Sequence, residues 1–136
     1  MTSFRAFVVD EIDGKYTPGF KTLTLADLPK ESVLVDVAFS TLNYKDGLAV
    51  TGKGKIARKF PMVCGIDLAG TVAESADPAF RPGDKVLVNG WGLSETFWGG
   101  YSPKQRVNPQ FLTRLPPAFD FRQAMAIGTA GYTAML

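Results

Sequence analysis

Histidine is absent from all 136 residues. That removes imidazole as a general base, a metal ligand and a pH switch. Neither a Ser-His-Asp nor a Cys-His hydrolase can be assembled from this chain alone. A zinc site would have to combine the single cysteine, Cys64, with carboxylates, which is a poor donor set for that ion. One cysteine also excludes an internal disulfide, which fits a reducing, cytoplasmic setting. No apolar run approaches the roughly 18 residues of a spanning helix. Met1-Thr2-Ser3-Phe4-Arg5 has no signal-like apolar core. A net charge of only +2 makes no electrostatic case for nucleic acid or an anionic membrane. The dinucleotide fingerprint G-x-G-x-x-G is missing as well.

What remains is an ordinary globular composition, 46% hydrophobic and 21% charged. The length suits one domain and part of a second. Strand patterns run over Phe4–Asp10, Phe20–Leu25, Val33–Phe39, Ile66–Val72, Lys85–Val88, Tyr101–Val107 and Phe111–Leu115. The clearest is Val33–Phe39, where Val33, Val35, Val37 and Phe39 alternate with Leu34, Asp36 and Ala38 as a half-buried strand does. Gly70 interrupts its strand, a sign that another backbone comes close. Turn signals separate the strands at Glu11–Lys15, Asp77-Pro78, Arg81–Asp84 and Asn89-Gly90. Helix enters in two places. Asn43 can cap a short helix with Asp46 in its first turn. Asp120 and Gln123 form a capping-box pair before an apolar face of Phe121, Ala124, Met125 and Ile127, and Gly128 ends that helix. Gly131–Leu136 starts a further helix without a stop signal, so the chain is expected to end inside an element. Many short strands with little helix before residue 120 point to an antiparallel barrel or sandwich.

Two segments at strand ends gather polar side chains, Asn43-Tyr44-Lys45-Asp46 and Cys64-Gly65-Ile66-Asp67. Tyr44 can stack on a flat ring or donate to a carbonyl oxygen. The same residues also suit a helix cap, a half-buried tyrosine and a solvated lysine. Asp67 suits a site carboxylate or a turn acid. Lys53, Lys55, Arg58 and Lys59 put four cations in seven residues, fit for nucleotide or coenzyme A phosphates or simply solvated. Trp91 and Trp98, in a glycine-rich stretch, can wall a substrate or plug one end of a barrel. Thr129-Ala130-Gly131 precedes a helix start that can face an anion or merely connect two helices.

Several segments in order resemble the medium-chain dehydrogenase/reductase superfamily. They are Leu42-Asn43-Tyr44-Lys45-Asp46, Thr51-Gly52-Lys53-Gly54-Lys55, Phe60 through Val72, Gly83-Asp84-Lys85-Val86, Gly90-Trp91-Gly92, Trp98-Gly99-Gly100-Tyr101 and Ile127 through Ala134. Within it the chain is most similar to the zinc-free quinone-oxidoreductase-like branch and its NADPH-dependent acryloyl-coenzyme A reductase group.

The resemblance implies a mainly β fold: a GroES-like antiparallel β-barrel with a few short helices and the first linking helices of a missing Rossmann domain. Residues 1–119 would be the catalytic domain and 120–136 the start of the interdomain helices. In zinc-containing relatives a cysteine takes roughly the place of Asn43, and a His-Glu pair that of Ile66-Asp67, so the metal ligands are gone here. Asn43 and Tyr44 would be the catalytic side of the cleft. Tyr44 and Thr129 would touch NADPH, and Trp91, Lys53, Lys55 and Arg58 the substrate. Asp46 and Asp67 would brace the site from behind. The implied activity is hydride transfer from NADPH to an α,β-unsaturated acyl-CoA such as acryloyl-CoA. A quinone or enone reductase and a non-catalytic GroES-like binding module are the alternatives. The implied partners are a small-molecule acyl-CoA, quinone or enone substrate and, for the full-length form, a second copy in a homodimer.

Overall fold

A computed structural model describes residues 2–136. It opens with a hairpin of two ten-residue strands, β1 (Ser3–Ile12) and β2 (Lys15–Thr24). Asp13 and Gly14 both take positive φ, 53° and 74°. This is the two-residue turn whose twist matches the strands it joins. The β2 strand starts directly after the turn, five residues before the expected Phe20. Pro18 and Gly19 hid that part of the strand, yet β2 lies at a sheet edge, where proline's lost N–H costs no ladder bond.

A short 3-10 turn leads to β3 (Val33–Ser40), and α1 (Tyr44–Thr51) follows. Then come β4 (Met62–Val63), β5 (Asp67–Ser75), β6 (Lys85–Asn89), β7 (Lys104–Val107), β8 (Thr113–Arg114) and α2 (Phe121–Ala134). The strands form two antiparallel sheets, ordered β2-β1-β4 and β7-β3-β5-β6-β8. The expected mainly β, antiparallel architecture is the one found. Two expected strands are shorter than their patterns. Within 101–107 only the last four residues pair, and 111–115 is a 3-10 turn at Pro109–Phe111 followed by two paired residues. In α2 the expected break at Gly128 is present, but helix resumes at once rather than at Gly131.

The five-stranded sheet covers one core cluster, Val33, Val35, Leu68, Val72, Val86 and Val88 among it. A second cluster joins Val9, Ala49, Met62 and Cys64 to Trp98 and Tyr101. The two sheets are stitched where residues 63–65 lie between β1 and residues 99–101. Cys64 N donates to Phe7 O (3.1 Å), Tyr101 N to Cys64 O (2.9 Å) and Phe7 N to Tyr101 O (2.9 Å). This seam carries Cys64 into β5 and so fixes where Asp67 begins.

Gly70 sits opposite a register shift in β3. A Cβ there would lie 2.0 Å from the Asp36 carbonyl oxygen, a backbone atom that cannot swing away. Gly70→Ala should therefore lower stability by about 1–3 kcal/mol, the usual range for overpacking. Urea unfolding of the two proteins measures it.

Candidate functional site

The site is built where three backbone ends converge: the end of β3, the start of β5 and the break in α2. Thr41 and Leu42 continue from β3, and Asn43 takes the N-cap of α1 with extended backbone, φ −121° and ψ 166°. Asp46, three residues on, points back and is fully buried. Its Oδ2 accepts from Asn43 N and Asn43 Nδ2, both at 2.9 Å. Its Oδ1 accepts from Ile66 N at 3.0 Å, tying the helix cap to the residue before β5.

Asp67, also fully buried, is the centre of the arrangement. Oδ2 accepts from Thr41 Oγ1 (2.9 Å) and Thr129 N (3.0 Å). Oδ1 accepts from Gly90 N (3.1 Å) and, in a short bond, from Thr129 Oγ1. Its own carbonyl accepts from Ser40 Oγ (2.6 Å). A buried carboxylate needs this many donors, because each lone pair taken from water must be paired again. Gly128 makes the contact with Thr129 possible. Its φ of 54° and ψ of −165° break the helix and free the Thr129 N–H to turn inward.

Proton positions follow from the chemistry. Carboxylates only accept, so Thr41 Oγ1 gives its hydrogen to Asp67 and receives one from Asn43 Nδ2 (2.7 Å). Asn43 thus spends its amide N–H groups on Thr41 and Asp46. Tyr101 Oη donates to Thr41 O (2.7 Å) and holds that strand end from below. Burial, with Asp46 and Cys64 nearby, pushes the Tyr101 phenol well above its ordinary range.

In this arrangement Asn43, Asp46, Asp67 and Thr129 form one hydrogen-bonded network. Tyr44 stands beside it, 84% exposed, and among the described residues its hydroxyl makes no hydrogen bond. A cleft of about 390 Å³ opens next to the network, walled by Phe39, Leu42, Asn43, Met125 and Ile127. The two tryptophans sit in different surroundings. Trp98 packs in the core with Nε1 on Pro61 O (2.9 Å). Trp91 stays exposed and stacks on Phe111 at 5.2 Å. It follows Gly90, whose N–H reaches Asp67. Lys53, Lys55 and Arg58 lie on the loop beyond α1, exposed and outside the network. Sequence reasoning missed Thr41, Ser40 and Tyr101. Ser40-Thr41, two adjacent hydroxyls at the end of the best strand, were the available signal for the first two.

An antiparallel two-sheet domain with a cleft between a helix cap and a broken terminal helix is of the GroES-like class. The chain belongs to the alcohol dehydrogenase GroES-like domain family, which matches residues 29–117. It is 53% identical over 135 residues to the acrylyl-CoA reductase AcuI of Ruegeria pomeroyi, covering 98% of this chain and 41% of that protein. Among solved structures it resembles the yhdH oxidoreductase from Salmonella enterica in complex with NADP. That match has 50% identity and a TM-score of 0.91, over 96% of this chain and 40% of that one. Bacillus subtilis yhfP with NAD bound gives 40% identity and a TM-score of 0.91, over 98% of this chain and 41% of that one. The chain thus spans about two-fifths of the length of these relatives.

Two predictions follow from the network and its neighbour. Asp67→Ala leaves the Thr129 N–H and two hydroxyls without their acceptor, while Gly90 N keeps Ile66 O at 2.9 Å, so it should cost at least about 2 kcal/mol in urea unfolding. Cys64 is buried, and burial raises its thiol from 9.0 to about 11. The folded state therefore holds that proton more tightly than the unfolded one. The stabilisation it gives is complete below pH 9 and is lost as pH rises toward 11. Cys64→Ala should flatten the loss of stability over that window, and native Cys64 should resist Ellman's reagent at pH 8.

Proposed function

We propose that this chain is the catalytic-domain wall of an NADPH-dependent reductase acting on the C=C bond of an α,β-unsaturated acyl-CoA such as acryloyl-CoA. The observation that carries the reading is the Asp67 carboxylate. It locks Thr129 of the broken helix and Thr41 of the strand end onto one wall, with the unbonded Tyr44 hydroxyl beside it. The likeness to AcuI and to an NADP-bound oxidoreductase supports the same reading.

The residues present fit one end of the cofactor. Leu42, Tyr44 and Ile127 are exposed and apolar enough to line a flat nicotinamide ring. Nothing in the sequence supplies a glycine fingerprint for the pyrophosphate, so a second domain is required for that end. We place the boundary near residue 119, with 120–136 beginning the link. NADPH, when bound, would supply the hydride for the β-carbon of the substrate; negative charge would build on the thioester oxygen, and a proton from solvent at the α-carbon would complete the reduction. Tyr44 presents an O–H to that oxygen, which is how a positioned donor lowers the barrier. Asn43, with its amide N–H groups held by Asp46 and Thr41, positions the turn that carries Tyr44. Thr129, clamped by Asp67, sets how closely the helix approaches the nicotinamide.

The site is read as zinc-independent. Among the described residues no three of His, Cys, Asp and Glu cluster as a metal would need, and Asp67 already has four donors. A cytoplasmic setting and a homodimeric full-length protein complete the reading; the lone buried cysteine suits the former.

The test is NADPH oxidation by the full-length protein with acryloyl-CoA and, in parallel, a quinone and an enone. Turnover should favour the thioester. Tyr44→Phe should lower kcat by roughly a hundredfold, as removal of one oxyanion donor does. Turnover of the quinone alone overturns the substrate. An unchanged kcat in Tyr44→Phe removes the hydroxyl from the chemistry.

A further inference from the structure

The site leaves unused the strongest local charge in the chain. Lys53, Lys55, Arg58 and Lys59 are all exposed, and the ion pairs among the described residues involve other lysines and arginines. Lys59 lies over the Phe97 ring at 5.9 Å. Lys53, Lys55 and Arg58 have no such partner. Like charges held this close, in a chain whose whole net charge is +2, repel one another until a polyanion arrives.

The loop is anchored at both ends near α1. It leaves that helix at Gly52, in the left-handed conformation. It then borders a cavity of about 370 Å³ beside Tyr16, Lys55, Ile56 and Phe60, with Glu11 as the one acid there. It returns at Arg58, whose N–H donates to Glu95 O at 2.9 Å. The Glu95 carboxylate holds Lys45 Nζ at 2.5 Å, and Lys45 adjoins Tyr44. The cations therefore lie beyond the far end of α1 from the site, separated from it by about the length of that helix, eight residues or roughly 12 Å.

The geometry points to this loop as the subsite for the phosphates of the substrate's coenzyme A. The assignment rests on the acyl-CoA reading of the site above. The pantetheine arm between thioester and diphosphate is uncharged and flexible, and it has to span such a distance. Arg58 offers a fork to the diphosphate, and Lys53 and Lys55 offer point charges to it and to the 3′-phosphate. The phosphates of NADPH are the other source of the same chemistry, and the test separates the two.

The variant is Lys53→Gln/Lys55→Gln/Arg58→Gln in the full-length protein. Its side chains are exposed and unpaired, so folding is retained. Lys30→Gln, exposed and unpaired elsewhere, controls for lost charge. The triple variant should raise KM for acryloyl-CoA at least about tenfold, a change of about 1.4 kcal/mol, with kcat unchanged. The KM for the acryloyl thioester of N-acetylcysteamine, which lacks the phosphates, should not move. Raising salt should shrink the difference between wild type and variant, as screening requires. An unchanged KM for acryloyl-CoA, equal shifts for both thioesters, or a shift in KM for NADPH instead each overturns the assignment. If neither thioester is reduced, the acyl-CoA reading fails by itself, and calorimetric titration with free coenzyme A still reads the loop. Weaker binding by the triple variant than by wild type and Lys30→Gln then supports the phosphate site. Equal binding, or none by wild type, removes it.

Discussion

A carboxylate taken out of water has to be surrounded by donors, and Asp67 meets that demand from four directions. The donors come from the end of β3, the turn after β6 and the broken segment of α2. These parts of the chain are far apart in sequence: Thr129 is 62 residues from Asp67 and Thr41 is 26. No hydrophobic contact between them would fix their relative angles so tightly, because apolar packing is not directional. The strand end and the broken helix that define the cleft are therefore held by hydrogen bonds, and the core beneath holds the strands that carry them.

The second carboxylate has a narrower task. Asp46 caps its own helix backward, through Asn43 N, and reaches across to Ile66 N. It fixes the start of α1 against the start of β5. Asn43 Nδ2 then joins the two acids through Thr41, so the proton order along Asn43, Thr41 and Asp67 has one solution. A network whose buried carboxylates are fully matched holds its members in fixed positions. Tyr44 is left outside the network, the one member of its four-residue segment whose polar group has no hydrogen-bond partner among the described residues.

Some of this was readable in the sequence because it was local. The strand at Val33–Phe39, the Asp120–Gln123 capping pair and the helix break at Gly128 depend on neighbours within a few positions, and the structure contains all three. The strict alternation does not carry through: Leu34 is buried and Phe39 exposed, beside register shifts at both places. Pro18 misled because the cost of proline depends on whether its strand is at an edge, which is a property of the whole sheet. The resemblance placed Asn43, Asp46, Asp67 and Thr129 near one another without a reason. The reason is the shared acceptor, and a shared acceptor cannot be seen in a linear pattern. Ser40, Thr41 and Tyr101 were missed on the same account: a hydroxyl at a strand end looks alike whether it meets solvent or a carboxylate.

The apolar surface around the cleft follows from the same division. Leu42, Tyr44, Ile127 and Tyr132 are exposed, while the polar groups beneath them are turned inward to Asp46 and Asp67. If the donors faced outward, the cleft would be wet and polar. Because the carboxylates draw the N–H and O–H groups to the interior, the wall that remains is largely apolar, with Arg122 as its charged member. Such a wall binds flat, weakly polar rings and acyl chains well. Arg122 is the cation on its lining, and the larger concentration of positive charge, Lys53, Lys55, Arg58 and Lys59, lies beyond the far end of α1. The polar network therefore shapes the cleft, while most of the local positive charge stands outside it.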